Sequence, residues 1–455
     1  MNVAQIIDQL QHDAEFCEHL TAWRSFAPQP GAYADFPEAV RPELIEGLGK
    51  RGISQLYTHQ RDAFTALEAG KHVCVVTPTA SGKTLCYNLP VLNRLLKDGN
   101  SRALYLFPTK ALSQDQVAEL TETIEALDVK IGAYTFDGDT PSSARKAVRN
   151  AGHIVVTNPD MLHAGILPHH TIWIRLFENL RYVVIDEIHQ YRGVFGSHLA
   201  NVIRRLKRIC AFYGSSPQFI CCSATIANPR ELAEKLVEMP VELVDNNGAP
   251  SGEKHFLFYN PPVVNRELGI RASSVKRAGH LAASLLFRNV QSIVFARSRL
   301  RVEIITTYLK EAVKRKGGDT SKVRGYRGGY LPTERREIEK GLRNGEVLAV
   351  VSTNALELGI DIGSLDVCIM CGYAGGVART WQQAGRAGRR SSTALVVLVA
   401  SSAPLDQYII GHPDYFFTQN AEEATIDSNN LFVLASHLKC AAFEMPFNAG
   451  DAFGL

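Results

Sequence analysis

The chain has 455 residues, of which 45% are hydrophobic and 21% charged, and its formal net charge is +3 at pH 7. This composition is typical of a folded protein with several apolar cores, and it excludes collagen-like and wholly disordered classes. At roughly 100–200 residues per domain, the length predicts two to four domains. The small charge excess does not indicate a nucleic-acid partner by itself, so that interpretation depends on local clusters of basic residues.

No apolar run in the sequence approaches the roughly 18 residues of a membrane span, and Leu395–Ala400 is typical of the short runs present. The N-terminal sequence carries early acidic residues instead of a basic and then apolar leader. The nine cysteines are scattered, and the Cys368-x-x-Cys371 pair lacks a second pair or a nearby histidine that would complete a zinc site. We therefore expect a cytoplasmic protein with reduced thiols and no membrane partner.

The sequence of residues 1–45 predicts a helical N-terminal segment. After it, short strands rich in β-branched residues alternate with helical stretches. The first series of predicted strands is His72–Thr77, Ala103–Phe107, His153–Thr157, Tyr182–Asp186 and Phe219–Ser223. The second series is Ser292–Ala296, Ala349–Ser352, Val367–Met370 and Ala394–Ala400. Continuous apolar strands separated by helices indicate parallel sheets with helices on both faces. The predicted fold class is therefore α/β, with two parallel-sheet domains in tandem.

The domain boundaries follow from these two series. We expect a first domain over 46–245 and a second over 263–405. Between them, residues 246–262 are rich in Gly, Pro and Asn, which predicts a linker. Residues 406–455 have no clear stop and are expected to begin a C-terminal accessory region that is truncated here.

A glycine-containing loop, TPTASGKT at residues 77–84, follows the first predicted strand and precedes a helix. Small residues let backbone N–H groups surround a phosphate at a helix N-terminus, so the loop predicts an ATP site. Lys83 is expected to reach the β- and γ-phosphates, and the Thr84 hydroxyl to bind Mg²⁺. Thr77 replaces the first glycine of the usual GxxxxGK pattern, so a simple glycine turn is the alternative. The residues expected to hold the nucleotide are Thr79, Ala80, Ser81, Gly82, Lys83 and Thr84.

Two acidic residues end the predicted strand Tyr182–Asp186 and begin the sequence DEIH. The carboxyl ends of such strands are where doubly wound sheets place their ligands. Asp186 is expected to hold Mg²⁺ and Glu187 to polarise the attacking water, because hydrolysis needs a metal ligand beside a base. Two surface acids are the alternative, although the buried strand and the preceding GKT loop disfavour it.

The motifs from Gln60 to Arg389 resemble, in order, those of superfamily 2 helicases. This resemblance implies two RecA-like domains with ATP and Mg²⁺ in the cleft between them, adenine recognition by Gln60, and further nucleotide contacts from Gly359 and Asp361. It implies strand contacts from Thr109, Lys110, Thr157, Asn158, Thr353 and Asn354. It implies coupling roles for His189, Ser223, Thr225 and Gln382.

Arg386 and Arg389 are spaced three residues apart, which predicts that they share one helix face. Such guanidinium groups can stabilise charge on the γ-phosphate in the transition state, an effect worth roughly 10³–10⁵ in rate. The alternative is a solvated basic helix. Basic residues also cluster at 295–345, with fourteen Lys and Arg against six Asp and Glu, and at Arg204, Arg205, Lys207 and Arg208. Trp381 and Tyr330 are expected either to stack on bases or to pack in a core.

A narrower resemblance concerns residues 326–330, 353–361, 381–390 and 437–444, which are similar to the MrfA/YprA family of bacterial DNA repair helicases, relatives of RecQ-type enzymes. That family implies 3′→5′ movement on single-stranded or forked DNA and a C-terminal domain with four zinc-binding cysteines, which this sequence does not include. An RNA helicase of the DEAD-box kind and a non-enzymatic scaffold are the alternatives. DEIH in place of DEAD disfavours the first, and the presence of Lys83, Asp186, Glu187 and Arg386 disfavours the second. The sequence identifies no protein partner.

Overall fold

The structure is a computed structural model that describes residues 2–359, 362–363, 365–388, 392–418 and 421–454. Strands and helices are numbered separately in chain order. The chain divides into two compact units. The first unit consists of Ala32–Gly248 and Glu423–Leu455, and the second consists of Met1–Gly31 and Ala249–Glu422. Each unit is therefore built from two separate segments of the chain.

The first unit contains a sheet in which seven parallel strands are described. The strands of the unit are β2 (Tyr33–Ala34), β3 (Leu56–Tyr57), β4 (His72–Val76), β5 (Arg102–Leu106), β6 (Ala133–Thr135), β7 (Ile154–Thr157), β8 (Leu180–Ile185), β9 (Gln218–Ser223) and β10 (Val241–Val244). The spatial order of the sheet is β10-β4-β9-β8-β5-β7-β6, with β8 at its centre and β4 two strands away. Strands β2 and β3 form a separate antiparallel pair.

Helices cover both faces of this sheet. They are α3 (Pro42–Lys50), α4 (Thr58–Glu68), α5 (Lys83–Lys97), α6 (Lys110–Ala126), α7 (Ser142–Ala151), α8 (Pro159–Met161), α9 (Ile174–Asn179), α10 (Gly193–Phe212), α11 (Pro229–Val237) and α18 (Leu431–Glu444). Alternate residues of β8 enter different cores, since Val183 and Ile185 pack in one cluster and Tyr182 and Val184 in the other. Burial on both faces explains why these strands read as continuous apolar runs.

The second unit contains the other sheet of seven described strands. The strands of the unit are β1 (Leu20–Phe26), β11 (Lys254–Tyr259), β12 (Val263–Asn265), β13 (Ile270–Arg271), β14 (Ser292–Ala296), β15 (Val323–Tyr326), β16 (Ala349–Ser352), β17 (Val367–Cys371) and β18 (Ala394–Val399). The spatial order is β1-β11-β18-β17-β14-β16-β15. The pairs are parallel except for the edge strand β1, which is antiparallel to β11. Strands β12 and β13 form a small hairpin.

The helices of the second unit are α1 (Val3–His12), α2 (Ala14–Glu18), α12 (Ser274–Leu286), α13 (Arg299–Arg315), α14 (Pro332–Arg343), α15 (Val377–Ala384), α16 (Pro404–Gly411) and α17 (Pro413–Thr418). One core joins residues of α1, α12 and α13 to the central strands. The α/β fold class with two parallel-sheet domains is therefore confirmed.

The predicted domain boundaries need correction at three places. The N-terminal segment 1–45 is not wholly helical, because β1 lies within it and pairs with β11. The predicted linker 246–262 contains β11, which is a largely buried strand of the second sheet and not a flexible connection. The C-terminal region 406–455 is divided, since α16 and α17 belong to the second unit and residues from Glu423 belong to the first. Pairing partners distant in sequence decide these assignments, and local composition does not reveal them.

Candidate functional site

The loop predicted to bind phosphate connects β4 to α5 in the first unit. Gly82 has φ +81° and Ala80 has φ +64°, so both lie in the left-handed region. A Cβ atom at Gly82 would lie 2.8 Å from Gln60 Nε2, so a side chain there would displace the Gln60 amide as well as strain the backbone. The loop therefore turns tightly enough for α5 to begin at Lys83, directly after it.

Two backbone carbonyls of the loop accept hydrogen bonds from the Lys83 amine. Lys83 Nζ donates to Thr77 O at 2.6 Å and to Pro78 O at 3.2 Å. The hydroxyls of Thr77 and Ser81 are 2.6 Å apart and close the other side of the loop. A cationic amine at the first position of a fifteen-residue helix adds to the favourable field that a helix N-terminus offers an anion. Residues 79–84 therefore lie together at the N-terminus of α5, and their role in binding a phosphate stays a prediction.

Gln60 connects a separate motif to this loop. Its Oε1 accepts a hydrogen bond from Tyr57 N at 2.9 Å, and its Nε2 donates to Gly82 O at 2.9 Å. A side-chain amide can accept two and donate two hydrogen bonds, so these bonds use half of its capacity. The contact positions Gln60 beside the nucleotide loop, and its role in reading adenine stays a prediction.

The predicted acidic pair lies at the carboxyl end of β8. Asp186 Oδ1 accepts from Glu187 N at 2.8 Å, and burial together with the neighbouring Glu187 charge raises the pKa of Asp186 to about 7. Glu187 has φ +54°, a left-handed conformation that costs a residue with a Cβ roughly 1–2 kcal/mol. Within the described residues, Glu187 Oε2 is a buried oxygen with no hydrogen-bond partner. Backbone strain and an unsatisfied carboxylate oxygen therefore coincide at the proposed catalytic position.

The two oxygens predicted to hold Mg²⁺ are connected through Gln116, which the sequence did not single out. Thr84 Oγ1 donates to Gln116 Oε1 at 3.3 Å. The Tyr87 hydroxyl is 2.9 Å from Gln116 Oε1 and 3.4 Å from Asp186 Oδ2, so its single proton serves mainly Gln116. Asp186 Oδ2 is therefore only weakly satisfied. A hydroxyl and an under-satisfied carboxylate beside a second buried carboxylate are hard oxygen donors that fit Mg²⁺.

His189 joins the DEIH sequence to the Ser223-Ala224-Thr225 motif. His189 Nδ1 accepts a hydrogen bond from Ala224 N at 3.2 Å and also lies 3.4 Å from Glu187 Oε2. A nitrogen that accepts from an amide cannot donate to a carboxylate, and burial lowers the pKa of His189, so this close approach is not an ion pair. Ser223 is buried and Thr225 is exposed. The two motifs therefore meet at the His189 ring, and their coupling role stays a prediction.

The residues predicted to contact a nucleic-acid strand in the first unit have different environments. The Thr109 side chain caps α6 by accepting from Leu112 N at 3.3 Å, and Asn158 caps α8 in the same way. Lys110 Nζ lies 3.0 Å from an Asp139 carboxylate oxygen, and both side chains are largely exposed. Thr157, in contrast, is buried and its hydroxyl donates to Phe136 O at 2.6 Å, so its predicted contact with a strand stays a prediction.

The basic cluster predicted at residues 204–208 lies on α10 and makes its contacts within the protein. Its charges are neutralised within the first unit, where the contacts include Arg204 with Glu238, Arg205 with Glu444 and Arg208 with the carbonyls of Ala441 and Met445. Burial and pairing of these arginines fix the C-terminal segment that contains α18 onto α10. A cluster of basic residues in the sequence cannot show which of them meet acidic partners far along the chain.

In the second unit, Thr353 follows β16, and its side chain accepts from Ala355 N at 3.4 Å. Asn354 is exposed. The nearby Glu357 is buried, and its carboxylate accepts from Arg379 Nε at 2.8 Å and from Gln383 Nε2 at 2.9 Å. The sequence did not single out these last three residues, because only the fold brings them together.

Arg386 is mostly buried, and its Nε and Nη2 donate to Glu357 O at 3.3 and 3.0 Å. The prediction that Arg386 lies on a helix face is wrong, because α15 ends at Ala384 and Arg386 follows in a turn. Gln382 is buried within α15, and Gly359 is partly buried. Asp361 and Arg389 lie outside the described residues.

Two aromatic residues and the cysteine pair have structural surroundings. Trp381 stacks on Phe416 with ring centroids 5.6 Å apart, which favours core packing. The Tyr330 hydroxyl donates to a Glu303 carboxylate oxygen at 3.0 Å. Cys368 and Cys371 are buried free thiols. In the described part of the chain, the helices are too short or too polar to cross a membrane.

Family models match three regions of the chain. Residues 57–232 match the DEAD/DEAH box helicase model, and residues 280–391 match the helicase conserved C-terminal domain. Residues 426–453 match the winged helix domain of the ATP-dependent helicase HRQ1. The first two matches contain the nucleotide loop with the acidic pair and the Glu357–Arg386 network, respectively.

Among curated relatives, the ATP-dependent helicase YprA of Bacillus subtilis is 59% identical over 448 residues, covering 98% of this chain and 60% of the relative. The ATP-dependent helicase hrq1 of Schizosaccharomyces pombe is 39% identical, with 98% of this chain and 43% of the relative covered. The chain therefore spans between two fifths and three fifths of the length of these relatives.

Among solved structures, the DUF1998 helicase MrfA bound to DNA and AMPPNP is 57% identical and matches with a TM-score of 0.96, covering 100% of this chain and 63% of that chain. The helicase Lhr of Mycobacterium smegmatis, bound to ssDNA and AMP-PNP, is 26% identical with a TM-score of 0.76 and covers 92% of this chain and 57% of that one. The chain belongs to the superfamily 2 helicases of the MrfA/YprA type.

Proposed function

We propose that this chain is the ATP-driven core of a cytoplasmic DNA helicase that moves 3′→5′ along single-stranded DNA and serves DNA repair. One observation carries the proposal: a 57% identical helicase that was solved with DNA and AMPPNP matches the whole chain with a TM-score of 0.96. The buried acidic pair beside the Lys83 loop supports ATP hydrolysis as the chemistry. The direction of movement and the repair role rest on the family resemblance alone.

In the proposed reaction, the 77–84 loop and the Lys83 amine bind the β- and γ-phosphates, which attract the amine away from the Thr77 and Pro78 carbonyls. Glu187 holds the attacking water through its unsatisfied carboxylate oxygen and accepts a proton from it. The Gln60 side chain is held by hydrogen bonds with Tyr57 N and Gly82 O, and in this reaction it lies at the adenine end of the ATP site. Arg386 contributes positive charge to the transition state.

Thr84 and Asp186 are the residues that would hold Mg²⁺. A bound Mg²⁺ neutralises phosphate charge and also relieves the repulsion between two adjacent buried carboxylates. Burial, together with the neighbouring Glu187 charge, raises the pKa of Asp186, so a cation held here would favour its charged form.

The proposed strand contacts go to the backbone of DNA and not to its bases. Thr109, Lys110 and Asn158 in the first unit, and Thr353 and Asn354 in the second, follow strands and begin helices or turns. Hydroxyls, amides and lysine at such positions bind phosphate without reading sequence. We therefore expect binding that depends steeply on salt and little on base sequence.

The decisive experiment measures ATPase rate with single-stranded DNA, duplex DNA or RNA as the stimulating polymer. We expect single-stranded DNA to stimulate most. Duplexes with a 3′ or a 5′ single-stranded tail then report direction, and unwinding restricted to the 3′-tailed substrate is the expected result. Stimulation by RNA alone would support an RNA helicase instead, and no hydrolysis with any polymer would support a scaffold.

A further inference from the structure

We propose that Glu357 is a positioning residue that transmits strand binding at Thr353 and Asn354 to Arg386. The proposal rests on the proposed function, because it assigns a mechanical link between two parts of that same site. No direct contact of Glu357 with ATP or DNA is required. It acts by holding the strand-contacting loop and the arginine as one body.

The side chain of Glu357 makes the first half of this link. Its carboxylate accepts hydrogen bonds from Arg379 Nε at 2.8 and 3.0 Å and from Gln383 Nε2 at 2.9 Å. Both donors lie on α15, one turn apart. Only 4% of Glu357 is exposed, so little water competes for these bonds. The loop is therefore attached to α15 at two points by one buried charged group.

The backbone of the same residue makes the second half. Glu357 O accepts from Arg386 Nε at 3.3 Å and from Arg386 Nη2 at 3.0 Å. These two nitrogens form one edge of the guanidinium, which has five N–H donors in a rigid plane. These two hydrogen bonds therefore help to orient the guanidinium group. The position of the Glu357 carbonyl contributes to the direction in which Arg386 points.

The segment between Thr353 and Glu357 is short and stiff. Thr353 caps a 3₁₀ turn over Asn354–Leu356, and Glu357 ends that turn with its N–H bonded to Asn354 O at 3.0 Å. Leu356 is fully buried, which removes the freedom to absorb a displacement locally. A strand that shifts Thr353 and Asn354 therefore shifts Glu357, and the shift reaches Arg386 through the carbonyl.

The competing explanation is that Glu357 only stabilises the second unit and transmits nothing to Arg386. Asp406 provides a matched control, because it is also a fully buried carboxylate of the second unit that accepts hydrogen bonds from an arginine, Arg297, and from Tyr373 N and Ser401. Asp406 lies on α16, apart from the 353–357 segment and from α15. The two substitutions Glu357→Gln and Asp406→Asn remove the same charge from comparable surroundings.

The experiment measures the DNA stimulation factor, which is kcat with saturating single-stranded DNA divided by kcat without it. Parent, Glu357→Gln, Asp406→Asn, Arg386→Ala and the Glu357→Gln/Arg386→Ala double variant are compared, with thermal midpoints recorded for each. We expect Glu357→Gln to lower the factor about tenfold, within the 2- to 150-fold range of contact couplings, while the ATP KM and DNA Kd change less than about threefold. Asp406→Asn is expected to keep the parental factor even if its thermal midpoint falls.

The double variant decides whether Glu357 acts through Arg386. In the Arg386→Ala background, Glu357→Gln is expected to lower the factor by less than about twofold, because the residue it positions is gone. An equal loss in both backgrounds, or a parental factor for Glu357→Gln while Arg386→Ala is impaired, would overturn the coupling and leave the proposed function intact. A parental rate for Arg386→Ala would overturn both the coupling and the assigned role of Arg386.

Discussion

Each unit contains a buried carboxylate group at its proposed working edge, and the two groups are satisfied very differently. In the first unit, Glu187 has an oxygen with no hydrogen-bond partner in the described structure, a left-handed backbone, and a second carboxylate, Asp186, beside it. In the second unit, both Glu357 oxygens accept hydrogen bonds from Arg379, and one also accepts from Gln383.

The difference distinguishes Glu187, whose free oxygen is suited to binding a ligand, from Glu357, whose oxygens bind other residues of the protein. An unsatisfied buried charge costs stability, so it persists where function requires it. A buried charge whose hydrogen bonds are made becomes strongly destabilising when one of its partners is removed. Of these carboxylates, Glu187 therefore carries the expected chemistry and Glu357 the expected positioning.

The largest expected effect comes from Arg386→Ala, which removes a transition-state charge from the second unit. We expect the DNA-stimulated kcat to fall by roughly 10³-fold or more, with a much smaller change in ATP KM, because such arginines act on the transition state. Steady-state ATPase assays measure both constants. Arg315→Ala, at the exposed end of α13, is the control and should keep the parental kcat. Equal changes in kcat and ATP affinity would contradict the assignment.

Glu187→Gln tests the unsatisfied carboxylate in the first unit. The amide keeps the shape but cannot accept the proton, so hydrolysis should fall by roughly 10²–10⁴-fold while ATP binding is preserved. Fluorescent nucleotide binding and single-turnover hydrolysis measure the two effects separately. Glu231→Gln, at an exposed position of α11, serves as the control for loss of one carboxylate charge. Parental turnover by Glu187→Gln would remove this residue from the role of base.

Asp186→Asn tests the difference between the two units by its effect on stability and not by its effect on rate. Removing one of two adjacent buried carboxylates should raise the free energy of unfolding of the nucleotide-free, Mg²⁺-free protein by about 0.5–2 kcal/mol, although activity is lost. Glu357→Gln should lower it, because its arginine and amide donors lose a charged acceptor. Urea denaturation measures both. Destabilisation by Asp186→Asn would indicate that the carboxylate pair is already satisfied without a ligand.

The smallest expected effect is that of Lys110→Ala, whose amine is shared with exposed Asp139. Such a surface pair contributes about 0.2–1 kcal/mol at most, so stability should hardly change. If Lys110 instead neutralises a DNA phosphate, the salt dependence of single-strand binding should become shallower by roughly 0.7 in log–log slope, equally on all sequences. Fluorescence anisotropy at several salt concentrations measures the slope. Lys50→Ala, an exposed lysine paired with Glu46, should leave it unchanged.

Local patterns were sufficient to predict the central architecture. The strands from His72 to Ser223 that carry the nucleotide loop and the acidic pair are buried on both faces, so their apolar runs are unambiguous. The loop chemistry of Lys83 and the strand-end position of Asp186 follow from the same pattern. These features depend on neighbours within a few residues, which is why the sequence alone reveals them.

Features that depend on distant partners could not be predicted. Strand β11 reads as part of a polar connection until β1 and β18 are placed on either side of it. The arginines of α10 look like a basic patch in the sequence, but in the structure Arg204 and Arg205 pair with Glu238 and Glu444. In the sequence, nothing distinguishes Glu357 from the other residues of its motif. Its contact with Arg379 becomes visible only when the fold places α15 beside it.

The antiparallel edge strand of the second sheet has a consequence for synthesis on the ribosome. Phe26 pairs with Lys254, so β1 leaves the ribosome more than 220 residues before its partner. At roughly 5–20 residues per second, translation leaves this half-exposed strand unpaired for about ten to fifty seconds, while the whole β-α core of the first unit emerges and folds. During that interval β1 presents an open edge to other nascent chains. The edge of the second sheet is therefore completed only after residues 254–259 have been synthesised.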